Sequence, residues 1–154
     1  MLKNFTYKFD ARPVDSVEEL LGDWKEGNCR RAVQYFLFKE KNIFLKPEQV
    51  LCPDAYHQTG EFVMRAGESL KTETLLPGDI IYAEKIRDKE DKVVDKSPKT
   101  FPTEDDYIIS LHTALFTGEK DKEIWHATAI EGRSCLWSLD KFLHFYKILS
   151  IKRI

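Results

Sequence analysis

The sequence lacks a C-x-x-C pair, a glycine-rich phosphate loop and a G-x-S-x-G turn. Without them a nucleotide cradle and a serine-hydrolase elbow have no anchor in the chain. Its cysteines are only three, Cys29, Cys52 and Cys135. An odd number without paired spacing argues against both a disulfide framework and a structural zinc site. Basic residues show no excess: 24 Lys and Arg stand against 26 Asp and Glu, a net charge of -2. A nucleic-acid partner is therefore not expected, because its footprint is a clustered basic surplus. The first residues, Met1-Leu2-Lys3-Asn4-Phe5-Thr6-Tyr7-Lys8, hold no apolar run of the roughly 7–15 residues that a signal peptide needs. No window approaches the roughly 18 apolar residues of a membrane span. The expectation is a cytoplasmic chain with no membrane span. Repeats and low-complexity tracts are also missing.

What is present fits one domain, residues 1–154, since a chain of that length buries roughly 70% of its unfolded surface. Ser16-Val17-Glu18-Glu19 has the form of a capping box, and Leu20, Leu21 and Gly22 complete a short helix over residues 16 to 21. A polar loop leads to Asn28, a strong N-cap residue. Beyond it Cys29, Ala32, Val33, Phe36 and Leu37 repeat at the spacing of one apolar helix face. Cys29 is then the first helical residue, and the helix ends at Glu40, Lys41 and Asn42. Pro47 and Pro53 suit short helical pieces between residues 47 and 64. Pro77-Gly78-Asp79 marks a turn before the strand Ile80-Ile81-Tyr82-Ala83. From Lys85 to Asp106, thirteen of twenty-two residues are charged, which predicts a solvated insertion or loop. Residues 108 to 117 and 123 to 129 read as two strands of a hairpin around Gly118-Glu119-Lys120-Asp121-Lys122. Ser138 can cap a helix through Phe145, and Ile148 to Ile154 closes as a strand. Helices first and mostly antiparallel strands after them predict an α+β fold.

Cys29 is the residue with most chemical promise. A thiol at the start of a helix faces the positive end of the dipole and free backbone N–H groups. These favour negative charge on sulfur and can form part of an oxyanion hole. Arg30 and Arg31 add positive charge beside it. Position alone leaves a buried, inert cysteine equally open. His112 shares a strand face with Ala114 and Phe116, and His126 shares one with Ile124 and Thr128. A pairing centred near Glu119 sets the two imidazoles directly opposite, about 5 Å apart at Cβ, and a shifted one sets them diagonally at about 7–8 Å. Such a pair suits a base and the group that orients it, or simply two strand histidines bonded to carbonyls. Cys29, His112 and His126 could also be three zinc ligands, but their spacing matches no compact ligand motif and a fourth ligand is wanting. Cys52 and Cys135 read as packing residues, and His57 and His144 as surface residues.

Four segments together resemble the NlpC/P60 peptidases. They are Asn28-Cys29-Arg30-Arg31-Ala32-Val33-Gln34-Tyr35, Leu76-Pro77-Gly78-Asp79-Ile80-Ile81-Tyr82, Leu111-His112-Thr113-Ala114-Leu115-Phe116-Thr117-Gly118 and Ile124-Trp125-His126-Ala127. They follow the family order of D-C-S-G, P-G-D-L-V-F-F, H-V-G-I-Y-x-G and I-H-A. The resemblance implies a papain-like fold, N-terminal helices packed on an antiparallel sheet. It implies Cys29 as nucleophile, His112 as base and His126 as the third, orienting residue. It also implies a cysteine peptidase or amidase that needs no cofactor and acts on peptide or muropeptide-like substrates, as cell-wall endopeptidases do. Asn28 and Arg30-Arg31 depart from D-C-S-G, which makes the pocket beside the sulfur bulkier and more cationic. Asp23-Trp24-Lys25-Glu26-Gly27 replaces the aromatic-Trp-Gly-Gly segment of many wall hydrolases. The same residues could also transfer the acyl group to another acceptor, or survive in a binding module without turnover.

Overall fold

The computed structural model describes residues 3–50 and 60–154. Two capped helices lie in the N-terminal part. Ser16 accepts the Glu19 amide at 3.2 Å and starts α1 (Val17–Leu20). Asn28 starts α2 (Cys29–Lys41), its side-chain oxygen accepting the amides of Arg30 and Arg31 at 3.1 and 3.2 Å. Asn42 stops α2 in the left-handed region at φ 56°, which asparagine tolerates better than most residues. Both helices lie where the capping signals predicted them.

Among the described residues eight strands form one curled sheet. They are β1 (Thr6–Tyr7), β2 (Glu26–Gly27), β3 (Glu61–Met64), β4 (Ile80–Lys85), β5 (His112–Phe116), β6 (Ile124–Thr128), β7 (Arg133–Trp137) and β8 (Tyr146–Arg153). The spatial order is β2-β1-β7-β6-β5-β4-β8-β3. Only β1 and β2 pair in parallel; the other pairs are antiparallel. Two further helices, α3 (Glu104–Ser110) and α4 (Leu139–Phe145), complete an α+β fold. Among the described residues no helix is long and apolar enough to cross a membrane.

The two-residue period of the strands divides the core. Ile80 and Tyr82 of β4 join Leu115, Trp125 and Ala127 beneath Ala32, Val33 and Leu37 of α2. Ile81 and Ala83 point the other way, with Ala114, Ile124, Trp137 and Tyr146, beneath Phe142 of α4. Each such side chain taken out of water contributes about 1.5–3 kcal/mol, so register is strongly specified on both faces.

Three expectations need correction. The stretch from Lys85 to Asp106 is not wholly a solvated loop. Arg87 and Val93 form a β-bridge, and Thr103 builds a capping box with Asp106 that starts α3. Three acidic residues in the first turn favour the positive helix end, and this local pattern outweighs the strand preference of Ile108 and Ile109. The expected strand from 108 therefore begins only at His112. Residues 61–64, expected as helix, pair with β8 as β3. Pro47–Gln49 does form a helical turn, whereas Cys52, Pro53 and His57 lie outside the described residues. Strand β7 had no clear signal in Arg133-Ser134-Cys135-Leu136-Trp137; its ladder with β6 creates it.

The Pro77-Gly78-Asp79 turn holds β4 in place. Gly78 has φ +93°, and a Cβ there would come within 2.6 Å of the Lys41 side chain. Asp79 is fully buried. It accepts the Leu76 amide at 2.8 Å and two donors of Arg153, Nε and an η nitrogen, each at 2.8 Å. Asp79 is buried but Arg153 is about one third exposed, so Asp79→Ala leaves mainly the Leu76 amide without its acceptor and is expected to lose about 2 kcal/mol of unfolding free energy in urea titrations. A loss below about 1 kcal/mol would show that the turn holds itself without the ion pair.

Candidate active site

The Asn28 cap takes the amides of Arg30 and Arg31, not that of Cys29. Cys29 thus sits at the tip of α2 with its side chain 4% exposed, on the wall of a cavity of about 400 Å³. His112, the first residue of β5, lines the same cavity. The two residues arrive from different directions. Helix α2 packs on the face of Ile80 and Leu115, while His112 shares the other face with Ala114. Both reach the cavity where the sheet opens: β5 is paired with β4 as far as Ala83–His112, but with β6 only at Leu115–Trp125 and Phe116–Ile124. At the end that carries His112, β5 and β6 have parted.

Continuing the β5–β6 register sets His126 opposite Ala114, two positions from His112. Of the two expected placements the diagonal one holds. It is close enough for a hydrogen bond of 2.8 Å between His112 Nε2 and His126 Nδ1. His126 is fully buried behind His112, and its Nε2 has no partner among the described residues. An aromatic box surrounds the pair. Tyr146 stacks on His112 at 4.3 Å and 17°, and Trp137 meets His126 edge-on at 4.5 Å. Phe142 stacks on Tyr146 from α4 at 4.8 Å, and Thr128 bonds the Tyr146 hydroxyl at 2.5 Å. Cys29 and His112 therefore line one cavity, and His126 bonds His112 from behind. Cys135 is buried in β7, opposite His126 in the ladder, and burial pushes its thiol up to about 12. His144 is exposed on α4, 2.6 Å from Asp91. Among the described residues no group of three or more His, Cys, Asp and Glu is arranged to hold a metal ion.

The fold is NlpC-like. The chain superimposes on NlpC2 from Trichomonas vaginalis with a TM-score of 0.56 at 15% identity, covering 99% of this chain and 42% of that one. NlpC1 from the same organism gives 0.55 at 15% identity, covering 97% and 39%. The chain thus spans about two fifths of the length of these proteins. No family model and no curated protein matches the sequence.

Sequence reasoning missed several cavity residues. Tyr7 and Tyr146 line the wall beside Cys29. Burial, then the sulfur of Cys29, pushes the Tyr7 phenol up to about 12, with Arg30 pulling the other way. Phe9, Val93 and Ile109 line the cavity too, although they are 56%, 73% and 43% exposed. The signal was there: Val93, Val94 and Phe101 are apolar islands in a stretch read as solvated loop, and Ile109 lies in the run read as strand. The two arginines behave differently. Arg31 turns away, donating to the carbonyls of Arg12 and Glu26. Arg30 is buried in the cavity wall and donates to the carbonyls of Ile109 and Leu111, at 2.6 and 3.2 Å. It straps the backbone just ahead of His112.

Burial above all, then the charges of Lys85 and Arg30, pushes His112 down to about 3. His126 is held well below the usual range by burial, then by His112 and Lys141. Both rings are therefore neutral at neutral pH. In the unfolded chain they take up protons near pH 6.5, and in the native state they do not until the pH is far lower. Unfolding therefore binds protons in that window, and stability falls with acidification from about pH 6.5 downward. Urea unfolding at several pH values is expected to show a slope approaching about 1.4 kcal/mol per pH unit for each ring below about pH 6, and no contribution from them above about pH 7.5. The His126→Gln variant flattens the slope; an unchanged slope in that variant would mean that the ring is hydrated in the native state.

Proposed function

We propose that this chain is a thiol hydrolase that cleaves an amide or peptide bond through an acyl-enzyme, with Cys29 as nucleophile, His112 as base and His126 as the residue that orients the base. The reading is carried by the His112–His126 hydrogen bond on the wall of the cavity that holds the helix-tip sulfur. With Nε2 bonded to His126, Nδ1 of His112 is the nitrogen free to take the Cys29 proton. That requires the tautomer in which Nε2–H of His112 donates to Nδ1 of His126. The Tyr146 ring, stacked on His112, restricts its rotation.

Sulfur attacks the carbonyl carbon as its proton passes to His112. The proton then goes to the leaving nitrogen, and the amine departs from a thioester. Water, deprotonated by the same imidazole, splits the thioester and restores the thiol. A ring held down at about 3 is a weak base, so proton transfer accompanies attack rather than preceding it. The Cys29 amide is the proposed oxyanion donor, since the N-cap takes the two amides beyond it. No cofactor enters the scheme. The NlpC-like fold supports the same class and makes muropeptides the first substrates to try.

A panel of muropeptides and acyl-peptides is expected to yield a substrate that Cys29→Ala leaves uncut. On that substrate, His112→Ala loses about 10³-fold in kcat/KM and His126→Ala about 10²-fold. In the folded protein, iodoacetamide is expected to modify Cys29 at least about tenfold faster than Cys135. Equal rates at the two thiols would sink the nucleophile assignment.

A further inference from the structure

One wall of the cavity that holds Cys29 comes from outside the sheet. The excursion between β4 and β5, residues 86–111, brings Val93, Val94, Phe101 and Ile109 to it, and Phe9 joins them from the loop after β1. Among the described residues six large apolar side chains are exposed, and three of them, Phe9, Val93 and Ile109, line this one cavity. Single apolar residues scattered over a surface need no explanation; gathered at one concavity, they mark a place that something apolar covers.

The excursion is braced by its polar groups. Arg87 and Val93 form a bridge, and the Val94 amide donates to the Ile86 carbonyl at 3.0 Å. The Tyr107 hydroxyl donates to the Glu84 carboxylate, and its ring meets Phe101 edge-on at 5.7 Å. Lys96 stands 3.7 Å from Glu84 and lies over the Phe101 ring. Asp88 accepts the amides of Glu90 and Lys92, and Asp95 accepts the amide and hydroxyl of Ser97. The charged groups that this stretch sends to the cavity are thus engaged within it or with β4. What it offers an occupant is apolar, and a wall braced in advance costs little ordering on binding.

Cys29 and His112 are buried, whereas Phe9, Val93 and Ile109 are exposed. The sulfur therefore stands at the closed end of the cavity and the apolar residues at its open end. A volume of about 400 Å³ suits a small molecule or a short piece of peptide rather than a protein surface. We propose that the excursion is a binding site for an apolar side group that the substrate carries near the bond cut by Cys29, with Val93 and Ile109 as the residues that select it. This rests on the nucleophile assignment above.

Two reagents that differ only in their tails test this without a known substrate. One is N-hexyl-iodoacetamide; in the other the nitrogen bears a hydroxyethoxyethyl tail with the same number of heavy atoms. With either, the Cys29 sulfur displaces iodide, a C–S bond forms and the thiol proton passes to solvent. The ratio of hexyl to ether rates at Cys29, read by peptide mass spectrometry, is compared between the native protein and the urea-unfolded chain. The native ratio is expected to be at least about fivefold higher, since a methylene gains on leaving water where an ether oxygen loses. Val93→Asn and Ile109→Gln each lower it about twofold, and together they bring it close to the unfolded value. Val93 is 73% exposed, so its replacement leaves the fold in place. A native ratio no higher than in the unfolded chain, or one that neither variant lowers, overturns the apolar site alone. A chain that sediments as a dimer and becomes monomeric in Val93→Asn makes a second copy the occupant and also overturns it. A sulfur that reacts with neither reagent in the native protein overturns the nucleophile assignment and the apolar site with it.

Discussion

One hydrogen bond, between two neutral imidazoles sealed in an aromatic box, constrains most of what surrounds it. Two histidines in a dry interior cannot both ionise, and each ring nitrogen left unpaired there is costly. The His112–His126 bond satisfies one nitrogen of each ring. Trp137, Phe142 and Tyr146 supply the box from β7, α4 and β8, three elements that sequence order keeps well apart from β5. The segment from Trp137 to Tyr146 therefore walls the histidine pair without supplying either ring. His126 keeps one orphan nitrogen. Such a buried, unsatisfied group is tolerated where function requires it.

The second constraint is topological. A sheet that stayed hydrogen-bonded along the whole of β5 and β6 would separate the tip of α2 from His112, because the two are built on opposite faces. The ladder stops after two pairs, and the cavity lies at the opening. Arg30 reinforces this arrangement. It leaves α2 beside the sulfur and fastens the end of α3 and the start of β5 through two carbonyls. The strap also places its guanidinium in a cavity wall shared with Lys85, Asp88, Asp95 and Lys96. The excursion between β4 and β5 closes the cavity on the far side with Val93, Val94, Phe101 and Ile109.

Much of this was legible in the residues. The Ser16, Asn28 and Ser138 caps and the apolar face of α2 are local patterns; each capping side chain accepts the amides its position predicts, with Ser16 making one half of the expected capping box. The alternation that puts His126 with Ile124 and Thr128 on one face is local as well. Less legible were Glu61–Met64 and Arg133–Trp137, which are strands because of their partners in β8 and β6. The dense charge of residues 85–106 masked a bridge and the cap of α3. Charge density reports solvent exposure on average; Val93 and Phe101 contribute to the cavity wall individually.

By itself the sequence determined where α2 begins, and so that a cysteine stands at a helix tip, because capping needs only neighbours a few residues apart. It also determined that His112 shares the face of Ala114 in its strand and His126 that of Ile124 and Thr128 in its own, because side-chain direction alternates with every residue. Only the tertiary structure decided that the histidines pair diagonally, that β5 and β6 part at His112, and that of two adjacent arginines just one faces the cavity. Those outcomes depend on ladder length and on carbonyls some eighty residues away in the chain, and no local pattern encodes contacts over that separation.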